Sequence, residues 1–175
     1  MKQLIKFSLF DAGNSVFPML VLSALTSSYF VNHIVADEQL GTALWQLTIG
    51  IAGIFIAFVM PYIGNVADNM INGRIKLLRL FTFLCILFVG CFYFILPNQE
   101  YVLKAIVILF LGSVTYGASN RLYNSIMKNC STSNLTLSSG IGFGTGFLGG
   151  VLILVLLLYT LILPQPNLFG ISMDN

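Results

Sequence analysis

The chain has 175 residues, of which 57% are hydrophobic and 8% charged, against about a quarter charged in an ordinary soluble domain. A water-soluble globular domain is excluded. Eight Lys and Arg against six Asp and Glu leave a formal charge of +2, with no basic stripe to follow a phosphate backbone, so nucleic acid is not an expected partner. What remains is an all-α, polytopic membrane protein whose first partner is the lipid bilayer.

A spanning helix needs about 20 mainly apolar residues. The apolar runs here are continuous rather than alternating, which argues for helices and against a closed barrel. Five spans are expected, near 10–32, 42–63, 76–96, 102–123 and 138–163, followed by a tail over 164–175.

The first run follows two lysines but is broken by Asp11, Asn14 and Pro18, so it reads as a retained span rather than a cleaved signal peptide. At 100° per residue, Asp11, Asn14, Ser15, Pro18, Thr26 and Tyr29 fall within an arc of roughly 120°. That is a polar stripe, and an ionisable group on it marks a wet path or a buried pair, or else an interfacial helix cap. His33 reads as a loop residue at the membrane surface. The second span ends near Gly64, where glycine permits a tight helix exit. The third is apolar all round and suits a lipid-facing position, with Cys85 and Cys91 as packing residues.

The fourth span repeats the polar pattern. Ser113, Tyr116, Ser119, Asn120, Tyr123 and Asn124 share an arc of roughly 140° by the same arithmetic, so the two stripes are expected to line one substrate cavity. The fifth opens on Gly140, Gly142, Gly144, Gly146, Gly149 and Gly150, the small-xxx-small pattern that lets helix backbones approach in lipid. Neither paired cysteines nor a ligand-spaced partner for His33 is present, so no metal and no cofactor is expected. No nucleophile and base stand at a useful spacing, which argues against an enzyme.

Basic residues fix the expected orientation. Lys2, Lys6, Arg74, Lys76, Arg79, Arg121 and Lys128 fall on one side and Lys104 alone on the other. The amino terminus is therefore expected in the cytoplasm, and the membrane is the inner one if the source is bacterial.

The opening FSLFDAGNSVF, with Asp11, Asn14, Ser15 and Phe17, resembles the first-helix signature of the major facilitator branch that contains the vacuolar, autophagy-related amino-acid effluxers and their bacterial relatives. Phe10, Ala12 and Gly13 depart from its usual Tyr, Trp and Ala. GTALW at Gly41 to Trp45, the Tyr123-Asn124 pair and the run Ser138 to Gly150 are similar to the second, fourth and fifth helices of that family. Gly64 to Asp68, followed by Gly73, Arg74 and Lys76, resembles the superfamily's cytoplasmic loop motif, in which acid and base act as a conformational latch; here the basic part arrives about two residues late.

The resemblance implies an alternating-access transporter of a small solute, amino acids among the candidates, with its site between two halves of six helices. It also implies that the chain is an incomplete amino-terminal half, stopping where a sixth helix is expected. A second half-transporter or self-association is then an expected partner, and the isolated chain is expected not to transport. The alternative is a membrane-embedded interaction or structural protein without transport, including an inactive remnant.

Overall fold

A computed structural model describes residues 9–130 and 135–162. Five helices are long and apolar enough to cross a membrane, and no strand occurs among the described residues. They are α1 (Leu9–Val35), α2 (Glu38–Asp68), α3 (Gly73–Cys91), α4 (Val102–Cys130) and α5 (Leu135–Leu157). Short 3-10 turns, Phe92–Phe94 and Gln99–Tyr101, join α3 to α4. The chain divides into two compact units, one of residues 1–24 and 133–175 and one of residues 25–132.

In the second unit, the α1 segment Leu25–Val35 turns into α2 through two residues. Ala36 sits in the left-handed region at φ 55°, which costs a non-glycine residue about 1 to 2 kcal/mol. Asp37 then caps α2, its carboxylate accepting from Leu40 N–H at 2.9 Å, and Glu38 places a second negative charge at the positive end of the helix dipole. The turn is tight because Gly41 allows it: a Cβ there would lie 3.1 Å from Val31 Cα. Behind it Phe30 and Ile34 are fully buried, and the Phe30 and Trp45 rings meet at 5.2 Å. His33 is exposed in the last turn of this helix, 5.7 Å from the Tyr29 ring. The sequence placed it in a loop; the apolar run simply continues past it.

Buried residues on α2 fall at Gly41, Trp45, Thr48, Ala52 and Ile56, a single stripe at helical spacing. α4 meets it through Gly117, where a Cβ would lie 3.5 Å from Ile56 Cγ2, and through the Phe55 and Phe110 rings at 5.6 Å. On another side α4 carries α3, with Cys85 Sγ donating to the Gly112 carbonyl at 3.8 Å. α4 is thus the central helix of this unit, and Ala105, Leu109, Ala118, Ser119 and Leu122 are buried along it. α3 turns Phe83, Ile86 and Leu87 outward. Such an apolar exterior is the expected surface of a helix bundle in hydrocarbon.

Two hydrogen bonds tie the end of α1 to the connection between α3 and α4. Tyr29 donates its hydroxyl proton to the Ile95 carbonyl at 3.0 Å, and Gln99 Nε2 donates to the Val35 carbonyl at 3.4 Å.

In the first unit, the α1 segment Leu9–Ala24 packs on α5. The glycines decide where: a Cβ at Gly149 would stand 2.7 Å from Ala12 Cβ, and one at Gly150 would stand 2.6 Å from Met19 Sδ. From Phe17 to Ala24, and again from Phe30 to Val35, α1 is π-helical. Pro18 has no N–H to give to an upstream carbonyl, and on its own carbonyl it accepts from Ser23 Oγ at 2.9 Å. A π turn closes i→i+5 bonds and advances less than 100° per residue, so the uniform 100° arithmetic behind the first polar stripe fails beyond Phe17.

Candidate functional site

The turn between α2 and α3 is built by the residues that end one helix and start the next. Pro61 does not stop α2, and Gly64 is not its exit: the helix continues to Asp68. This corrects the sequence reading: an isolated glycine lowers helix propensity without ending an apolar helix. The chain reverses instead at residues 69–72. Asn72 takes the left-handed conformation at φ 56°, which Asn tolerates better than most residues. Gly73 follows, where a Cβ would run into the Ala67 carbonyl oxygen and stand 2.8 Å from Met70 Cβ.

This sharp return brings Arg74 back over the end of α2. Its Nε–H donates to Asp68 Oδ1 at 2.8 Å. Both side chains are exposed, 37% for Arg74 and 56% for Asp68, so the pair adds little to folding stability and is free to open. A hollow of about 340 Å³ lies beside it, lined by Met70, Asn72, Ile75 and, from α4, Ile126. Arg74, rather than Lys76, meets the acid; Lys76 is exposed on the first turn of α3.

Asn72 and Ile126 were missed in the sequence. The Asn-Gly pair at 72–73 is a strong turn signal, which the assignment of the exit to Gly64 obscured; nothing local points to Ile126.

On the polar arc of α4, Ser119 and Tyr123 are buried within the second unit, with Ser119 Oγ donating to the Tyr116 carbonyl at 2.9 Å. The Ser113 hydroxyl is buried with no hydrogen-bond partner among the described residues. Tyr116 and Asn120 are half-buried and Asn124 is exposed. Part of this face is therefore spent on packing inside the unit.

Thr26 also belongs to the second unit and is half-buried; Asp11, Asn14 and Ser15 belong to the first. There Asp11 and Ser15 converge on one glycine of α5. A Cβ at Gly146 would lie 2.7 Å from Ser15 Oγ and 2.8 Å from Asp11 Oδ2, so the carboxylate and the hydroxyl fill the space that the missing side chain leaves. Among the described residues nothing lies within 4 Å of a Cβ placed at Gly140 or Gly144. The surroundings of Gly142 lie outside the described residues.

Five helices long and apolar enough to cross a membrane, with polar side chains on two of them and a charged pair at a helix turn, are the features of a multi-pass integral membrane protein. The family model for proteins described as vacuole effluxer Atg22-like matches residues 31–131, and the chain belongs to that family, a family of membrane transporters. No curated protein and no solved structure matches it.

Proposed function

We propose that the chain takes part in alternating-access transport of a small polar solute, with amino acids the first candidates, and that the Asp68–Arg74 pair is the latch that holds one of the alternating states. The supporting observation is that pair: an exposed ion pair at 2.8 Å, joining two helix ends inside the matched segment, is cheap to break and to re-form. Asp11, Asn14, Ser15, Thr26, Ser113, Tyr116 and Asn120 are the proposed cavity residues. Polar side chains at hydrocarbon depth need polar or aqueous surroundings, so further helices face them, from a second half-transporter or a second copy of this chain. In this reading the amino terminus and the α2–α3 turn are cytoplasmic.

The test is amino-acid flux in membrane vesicles containing the assembled transporter. Asp68→Asn should change the exchange rate severalfold while thermal stability stays nearly constant, and exchanging the charges, Asp68→Arg with Arg74→Asp, should recover much of the rate. An unchanged rate in Asp68→Asn removes the latch. Solute binding without saturable flux would instead favour a non-transporting membrane protein.

A further inference from the structure

The 3-10 turn Phe92–Phe94 and the start of α4 border an open groove of about 630 Å³, at the end of α3 opposite the Asp68–Arg74 turn. Its walls are apolar, with Cys91, Phe94, Leu103 and Val107 among them, and its rim carries Tyr101 and Lys104. Phe94 and Leu103 are each 72% exposed. In a membrane-spanning chain these walls face acyl chains, and the aromatic rings at the helix ends suit headgroup depth.

The charge at the mouth is held but not neutralised. Lys104 Nζ stands 4.5 Å from the Tyr101 ring centroid. Glu100 lies only one helical turn earlier, yet among the described residues no carboxylate comes within ion-pair distance of Lys104.

We propose that this groove seats an anionic phospholipid, one acyl chain along Phe94, Leu103 and Val107 and the headgroup phosphate on the Lys104 ammonium. A zwitterionic headgroup carries its own cation to the same place and competes with Lys104 for the phosphate; an anionic one leaves its charge for the lysine. The occupant is a lipid rather than a free anion because most of the lining is hydrocarbon. The proposal rests on the membrane placement of the chain and is independent of the transport reading.

Phe94→Trp in the full chain places a reporter in the groove, against a steady background from Trp45, which is 2% exposed and packed on Phe30. The protein is reconstituted in phosphatidylcholine bilayers doped with equal small fractions of brominated phosphatidylglycerol or brominated phosphatidylcholine. The brominated phosphatidylglycerol should associate about five-fold more strongly, the size of one lysine's attraction to anionic lipid at a membrane surface. Adding Lys104→Gln should abolish that preference, and Val107→Phe, which fills the groove but keeps the charge, should bring quenching by both lipids down to one common level. Unchanged Trp45 emission from Lys104→Gln and Val107→Phe made without Phe94→Trp, where Trp45 is the single tryptophan, verifies that each substitution leaves the protein folded. Equal quenching by the two lipids with Lys104 intact overturns the proposal, as does a preference that survives either substitution.

Discussion

At single residues, the three close glycines of α5 differ in what blocks them, and the difference is measurable. At Gly146 the obstructing atoms are Asp11 Oδ2 and Ser15 Oγ, the far ends of side chains that are able to turn aside. At Gly149 they are the Cβ, Cα and carbonyl oxygen of Ala12, which move only with the helix. Gly149→Ala should therefore lower stability more than Gly146→Ala, by about 1 to 3 kcal/mol for overpacking a rigid contact, and Ala12→Gly, which removes the nearest atom but leaves the Cα and carbonyl oxygen in place, should restore only part of the loss. Thermal unfolding in mild detergent reads both; an equal effect at the two positions removes the distinction.

Gly73 is subject to a similar test in the second unit. Its missing Cβ is what admits the Ala67 carbonyl, so Gly73→Ala should disturb the turn and, with it, the Asp68–Arg74 pair. Spacing alone placed Gly146 and Gly150 on one face of α5, but a face does not name its neighbour. Ala12 and the Ala67 carbonyl are known only from the folded chain.

The helices themselves were legible to the extent that hydropathy governs them. All five spans were visible because long apolar runs need no partner to be recognised, and the observed helices run a few residues past most of the expected ends because polar end residues such as Asp37 and Asp68 still cap or close a turn. The internal form of α1 was not legible: a proline and two π segments alter the rotation per residue, and a sequence read at one fixed period carries no sign of that change. The charged turn was half legible. Its acid and base were found, while its position was read four residues early because Gly64 resembled a helix end.

Asp37 gives the element-scale prediction. Replacing this N-cap with Ala leaves Leu40 N–H without its 2.9 Å acceptor and should cost about 1 kcal/mol, whereas Asp37→Asn should cost much less. Circular dichroism melts of the two variants in the same detergent separate capping from loss of charge.

For the whole molecule the expectation concerns sidedness. If the basic residues orient the chain, reporter fusions after Asn32 and Asn98 should report the outer side and those after Asn72 and Cys130 the cytoplasmic side. The reverse pattern would place the Asp68–Arg74 pair outside and remove it as a cytoplasmic latch. Lys104, which ends on the side opposite the other basic residues in this arrangement, would then change leaflet with the groove it borders.

The two-residue turn at Ala36 and Asp37, with Gly41 pressed against Val31, also bears on how the protein is made. A connection this short holds the end of α1 directly against α2 in the folded chain, so the end of α1 is expected to settle at its final position only once α2 has emerged to cover it. The two segments are then expected to enter the bilayer as one helical hairpin, with Phe30 covered once Trp45 arrives. Arresting synthesis before Trp45 clears the ribosomal tunnel should leave α1 extractable from the membrane, and arresting it after α2 has emerged should not.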